Sequence, residues 1–170
     1  MKAMVFGDTH DDTDYLRDAL ILFEKGKYDR LYLTGDLGRL SVRMLNPYAE
    51  KIVAVEGNND PYYDVEKVSK FPLPVINYTM LNGMFVCLTH GHLYSRYDIP
   101  VNYDILILGH THRGMVERFA GKWILNPGSL SCPRDGYHSY LTIDERKIQL
   151  RSIKTGKVLK EVFLGKENEG

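Results

Sequence analysis

Five of the six histidines in this chain, His10, His90, His92, His110 and His112, sit just after short apolar runs, and only His138 lies elsewhere. Carboxylates and amides collect at the same kind of place. KAMVF runs into Asp8 and His10, RLYLT into Asp36, and IVAVE into Asn58, Asn59 and Asp60. FVCLT runs into His90 and His92, and DILIL into His110 and His112. Each piece alone reads as turn chemistry, because Gly, Asn and Asp end strands by adopting positive φ or by bonding their own backbone. Five such endings in one chain ask for more. In an open α/β sheet, ligands bind outside the carboxyl ends of the strands, where loops distant in sequence converge. A His-x-His pair adds a mechanical reading: alternate residues of an extended chain point to one side, so His90 with His92, or His110 with His112, can face one site.

Carboxylate, imidazole and amide-oxygen donors without a thiolate suit Mn²⁺, Ni²⁺, Zn²⁺, Fe²⁺ or Co²⁺ rather than Ca²⁺ or an iron–sulfur cluster. The candidates outnumber the needs of one ion. Two ions ~3.5–4 Å apart, sharing a carboxylate and a hydroxide, would use most of them, and that arrangement serves in-line displacement at phosphorus. Such ions lower the pKa of the water between them and neutralise phosphoryl oxygens.

The elements that must position these donors are readable. Lys2 to Phe6 is a strand, followed by a helical pattern on Tyr15, Leu16, Ala19, Leu20, Leu22 and Phe23, with Asp11, Asp12 or Thr13 as its N-cap. Strand, helix, strand, helix, strand continues through Arg30–Thr34, a segment Leu40–Tyr48 interrupted by Pro47, and Ile52–Glu56. That order implies a parallel sheet flanked by helices. From about Pro72 the chain changes character: Asn82-Gly83 marks a hairpin, Asp104–Leu108 is a buried strand, and five short strands between Met115 and Leu164 follow. Residues 1–164 read as one domain and 165–170 as a frayed tail.

Bulk properties narrow the class. The chain has 170 residues, 22 basic against 22 acidic, with no Lys/Arg run, which argues against a polynucleotide or an anionic membrane as partner. No apolar segment approaches the ~20 residues a membrane helix needs. The start turns polar too soon for a signal peptide. Cys87 and Cys132 form no metal-type or redox spacing, Cys87 reads as a small buried hydrophobe, and the cytoplasm is the expected compartment.

The ordered set GDTH (7–10), GD (35–36), GNND (57–60), THGH (89–92) and GHTH (109–112) resembles the calcineurin-like metallophosphoesterase superfamily. NPGS (126–129) with Pro133-Arg134 resembles its small bacterial and archaeal phosphodiesterase branch. The resemblance implies an α/β fold, a four-layer α/β/β/α sandwich of two mixed sheets, with a dimetal site at one edge. It implies that Asp8, His10 and His112 bind one ion, that Asp36 bridges, and that Asn58, His90 and His110 bind the second, with Mn²⁺ the first choice of metal. Small relatives often self-associate, so a homodimer or homotetramer is the assembly to test.

Two positions depart from the pattern. Asn59 stands where the superfamily often has a His that protonates the leaving group, and an amide has no useful pKa for that work. The expectation is that Asn59 orients substrate or water while the proton comes from water or His92. Arg39 replaces the acid that closes a GDxxD motif, which touches orientation of the ligands rather than ligation. Ser129 through its N–H, and Arg134, are candidate contacts to a phosphate oxygen. His138 and the aromatic group Tyr62, Tyr63, Tyr94 and Tyr97 are read as packing residues. The leading function is hydrolysis of a small phosphodiester. The alternatives are a protein-interaction scaffold, since the chain also resembles a small retromer subunit of the same fold, and a nuclease or phosphomonoesterase.

Overall fold

A computed structural model describes residues 1–165; apart from Gly165, the expected tail, 165–170, lies outside the described residues. The chain forms β1 (Ala3–Phe6), α1 (Thr13–Lys25), β2 (Arg30–Leu33), α2 (Arg39–Leu45) and β3 (Ile52–Ala54). Then come β4 (Ile76–Leu81), β5 (Met84–Thr89), β6 (Ile105–Ile107), β7 (Gly114–Phe119), β8 (Lys122–Pro127), β9 (Ser139–Ile143), β10 (Lys147–Ser152) and β11 (Val158–Phe163). Every strand expected from the apolar runs is present. The Asp12 carboxylate caps α1 by accepting the Asp14 N–H at 3.2 Å. Pro47 ends the second helix as expected, and the chain continues as a 3₁₀ segment over Asn46–Lys51.

Two mixed sheets result. One has the order β11-β10-β9-β1-β2-β3 and the other β4-β5-β6-β8-β7. Parallel pairing is confined to β1, β2 and β3 in the first sheet and to β5, β6 and β8 in the second. All of these but β8 end in candidate metal donors, and β8 ends in NPGS.

The two-residue period of a strand explains how β1 serves two cores. Met4 and Phe6 pack with Leu16, Ala19, Leu20 and Phe23 of α1, whereas Ala3 and Val5 face Val86, Leu88, Ile105 and Ile107 of the second sheet. Both faces are buried, so the run reads as continuously apolar rather than alternating. The outer face of the second sheet, with Cys87, Leu106 and Ile124, is covered by Ile99 and Tyr103 of the segment between β5 and β6. Among the described residues both α-helices flank the first sheet, and an irregular segment makes the fourth layer. No helix among the described residues is long and apolar enough to cross a membrane.

Candidate metal centre

The six parallel strands end along one edge, and the loops that follow bring their donors together. Asp8 Oδ1 lies 3.4 Å from His112 Nε2, 3.8 Å from His10 Nε2 and 3.9 Å from His90 Nε2. Asp36 Oδ2 lies 3.3 Å from His90 Nε2 and 4.0 Å from His10 Nε2. His10 Nε2 and His112 Nε2 are 3.3 Å apart, and His110 Nδ1 is 3.2 Å from Asn58 Oδ1. Two groups of donors emerge, Asp8 with His10 and His112, and Asp8 with Asp36 and His90. Five of the seven residues expected as ligands form these groups, and the other two, Asn58 and His110, lie beside them, with the His110 ring 5.1 Å from that of His90. The two groups share Asp8, while Asp36 stands between His10 and His90.

Local backbone explains the convergence. Asp8, His10, Asp36, His110 and His112 all have positive φ, between 46° and 71°. Five left-handed residues without a glycine side chain are costly, and such strain collects at functional sites. The same fact corrects the reading of the His-x-His pairs. His110 and His112 are not alternate residues of an extended chain. Left-handed turns send His110 toward Asn58 and His112 toward Asp8 and His10.

Hydrogen bonds fix the imidazoles. His90 Nδ1 donates to the Thr34 carbonyl and His112 Nδ1 to the Cys132 carbonyl, both at 2.7 Å. A carbonyl only accepts, so the proton must sit on Nδ1 and the Nε2 lone pair faces the carboxylates. That arrangement orients metal-binding histidines. Burial opposes a proton on His90, but Asp36 and Asp8 outweigh it and raise its affinity for one. Asp8 does the same for His112. Burial pushes the Asp36 carboxyl up, yet the His90 imidazole against it and the hydrogen bond from the Asn59 N–H bring it down to about 2.

Asn59 donates twice to Asp36, from its backbone N–H at 2.9 Å and from Nδ2 at 3.1 Å. It also borders, with His10, Asp11, Asp36, Gly38 and Tyr63, a cavity of about 230 Å³. Asp60 is no donor to this constellation. Its buried carboxylate accepts the N–H groups of Asp36, Leu37, Gly38 and Gly57 at 2.7–3.4 Å, binding the GD loop to the GNND loop. The packing leaves no room there: a Cβ on Gly57 would lie 2.1 Å from Asp36 Oδ1.

Ser129, expected to meet a phosphate oxygen through its N–H, lies on the inner side of the loop that carries Asp8. It is fully buried, and its hydroxyl donates to the Asp8 carbonyl and accepts the Cys132 N–H, each at 2.8 Å. It braces the loop that carries Asp8 from behind. Arg134 is exposed, its N–H donates to the His112 carbonyl at 2.9 Å, and its charge opposes protonation of His112. His92 packs against His90 and His110, at ring distances of 5.5 and 6.4 Å, and burial and these neighbours hold it below its ordinary pKa. His138 is occupied elsewhere, stacked on Tyr15 at 4.0 Å and bonded to the Leu130 carbonyl. Tyr62 and Tyr63 are exposed rather than packed, and Tyr97 is exposed to 80%.

Sequence reasoning missed the backbone carbonyls of Thr34 and Cys132 and the hydroxyl of Ser131, which donates to the Asp8 and Thr9 carbonyls. No residue type marks a carbonyl, so no signal for the first two exists in the sequence.

Whether the site suits metal ions is decided by its buried atoms. Asp8 Oδ1 and His90 Nε2 have no hydrogen-bond partner among the described residues, although both residues are fully buried. Such orphaned atoms are costly. Donors about 2.1 Å from one ion lie about 3–3.5 Å from each other, close to the spacings here. The residues present fit a cation.

Comparisons with known proteins give the family. Residues 1–147 match the model of the calcineurin-like phosphoesterase superfamily domain. The chain is 28% identical to phosphodiesterase YfcE of Escherichia coli K12 over 96% of this chain and 98% of that one. It is 27% identical to phosphodiesterase MJ0936 of Methanocaldococcus jannaschii, over 90% and 98%. The solved structure of E. coli YfcE, described as a phosphoesterase, superposes with a TM-score of 0.89 at 26% identity, covering 97% of this chain and 100% of that one. Vacuolar protein sorting 29 of Cryptosporidium parvum, at 22% identity and a TM-score of 0.73 over 97% and 98% of the two chains, shares the fold.

Proposed function

The chain belongs to the calcineurin-like phosphoesterase superfamily, and from that premise we propose that residues 1–164 form one domain that hydrolyses small phosphodiesters with two divalent transition-metal ions. Asp8, His10 and His112 would hold one ion, Asn58, His90 and His110 the other, with Asp36 between them and Mn²⁺ the preferred metal. The observation that carries the reading is the pair of buried, unpartnered atoms, Asp8 Oδ1 and His90 Nε2, in the middle of converging donors. Bound ions would acidify a water and neutralise phosphoryl oxygens.

The chain's own residues supply the rest. The Thr34 and Cys132 carbonyls keep protons on Nδ1 of His90 and His112, leaving Nε2 free for a cation. Asn59 holds both oxygens of Asp36 and so fixes its direction. Arg134, beside His112, offers a guanidinium to a phosphate oxygen. Protonation of the leaving group falls to water or His92, because the Asn59 amide has no proton to give near neutrality. The phosphodiesterases YfcE and MJ0936, similar over nearly their whole length, support a diester as substrate.

The test is hydrolysis of bis-p-nitrophenyl phosphate beside p-nitrophenyl phosphate by chelator-stripped protein, with and without Mn²⁺, Ni²⁺ or Zn²⁺. Metal-dependent turnover of the diester, abolished by His112→Ala and Asp36→Asn, is expected. Two bound ions without hydrolysis would instead favour the interaction scaffold, and absence of metal binding would overturn the site.

A further inference from the structure

Next to the constellation lies a second, larger cavity of about 450 Å³, and it is built differently. Its walls include Tyr94, Arg96, Tyr97, His110, Arg113 and Met115. His110 belongs to both places, since its Nδ1 reaches Asn58 and its N–H donates to Asp8 Oδ2 at 3.2 Å. A ligand in this cavity is therefore in reach of the metal-binding residues.

The charges in the wall are unequal in state. Arg96 is spent: it bonds Glu117 Oε2 at 3.1 Å, touches Met115 Sδ at 3.5 Å and lies 5.2 Å over the Phe119 ring. Arg113 is held through its backbone alone, with its N–H on the Thr111 hydroxyl at 3.2 Å, and its exposed guanidinium meets no carboxylate among the described residues. Tyr97 touches Phe119 edge-on at 5.4 Å and 90°, which steadies the ring while most of its surface meets solvent. The exposed Tyr97 ring and the half-buried Tyr94, in one wall with a spare cation and a flexible Met, suit a flat aromatic group that also carries negative charge.

We propose that this cavity is a binding subsite for the nucleotide part of a diester, its base stacked on Tyr97 and Tyr94 and a further phosphate on Arg113. The size fits: sites for ligands of this class are roughly 300–1,000 Å³. Neither the fold nor the metal ligands require these side chains, which lie on the irregular segment after β5 and on the turn before β7. The subsite rests on the phosphodiesterase reading for its place in a reaction, but not for its ability to bind.

The experiment is therefore equilibrium dialysis of AMP and adenosine against the full chain stripped with chelator, where no turnover can occur. AMP should bind saturably and more tightly than adenosine. Tyr97→Ala should weaken both ligands by roughly tenfold, the effect of one lost stacking contact. Arg113→Ala should weaken AMP toward the adenosine value. Since both positions are exposed, neither change threatens folding, and circular dichroism verifies this. AMP binding that ignores both substitutions, or no saturable binding of AMP, overturns the subsite whatever the outcome with bis-p-nitrophenyl phosphate. With metal restored, the ratio of kcat/KM for a p-nitrophenyl nucleotide diester over methyl p-nitrophenyl phosphate should fall toward one in Tyr97→Ala; an unchanged ratio overturns it as well.

Discussion

The Asp60 carboxylate stands behind Asp36 and accepts the Asp36 N–H at 2.9 Å, on the same oxygen that takes the Gly57 N–H at 2.7 Å. Its other oxygen accepts from Leu37 and Gly38. One side chain thus joins two loops whose residues face the metal-binding donors. Asp60→Asn keeps the shape but turns one acceptor into a donor, leaving buried N–H groups opposed. Such a loss costs about 1–3 kcal/mol, or a fall of about 2–10 °C in melting temperature for a chain of this size. Calorimetry of the two proteins measures it, and an unchanged melting temperature would remove Asp60 from this role.

Metal should also be visible in stability alone. Without a cation, buried Asp8 Oδ1 and His90 Nε2 stay unsatisfied. A ligand that binds only the folded chain adds about 2.7 kcal/mol at a hundredfold excess over Kd. Adding Mn²⁺ to chelator-stripped protein should therefore raise the melting temperature by about 5–10 °C. Asp36→Asn, which replaces the carboxylate between the histidines by a neutral amide, should remove most of that rise. A full rise in the variant would mean that the ion binds elsewhere.

The strand plan and the donor set were open to reading from the sequence, and each for a physical reason. Buried parallel strands must be apolar on both faces, so KAMVF, RLYLT and DILIL stand out from their neighbours. Donors at their ends follow from where such sheets place loops. What could not be read depends on direction in space. Nothing in NPGS tells that the Ser129 hydroxyl turns inward to the Asp8 carbonyl. Nor does GNND mark Asp60, which follows Asn58 and Asn59, as a brace between two loops. The left-handed backbone at His110 and His112 is not marked either, because His is enriched at positive φ yet most histidines do not adopt it. The missing helix over the second sheet is a matter of the segment between β5 and β6, whose apolar residues are too sparse to show a helical period.

The two thiols should differ sharply in reactivity. Cys87 is fully buried, and burial raises its thiol to about 11, whereas Cys132 is exposed. At pH 8, iodoacetamide should add one carbamidomethyl group per native chain, at Cys132, and two in guanidinium. Peptide mapping by mass spectrometry locates the adduct. Modification of Cys87 in the native chain would show that the covering segment with Ile99 and Tyr103 opens readily.

Asn59 offers the sharpest chemical test. Its Nδ2 donates to Asp36 Oδ2, and nothing in its amide can protonate a departing alkoxide near neutral pH. The rate should then depend steeply on the acidity of the leaving alcohol. Asn59→His places an imidazole of ordinary pKa ~6.5 at the edge of the 230 Å³ cavity. The variant loses the Asp36 contact, so its rate on good leaving groups such as p-nitrophenol should drop. On poor, alkyl leaving groups the added acid works against that drop, since general acid catalysis contributes about 10²–10⁴-fold. A series of methyl aryl and methyl alkyl phosphates, plotted as log kcat/KM against leaving-group pKa, reads out the contrast. A shallower slope in the variant assigns the missing acid to position 59. Parallel lines, displaced only in height, would mean that the proton already comes from elsewhere in the wild type and that Asn59 serves Asp36 alone.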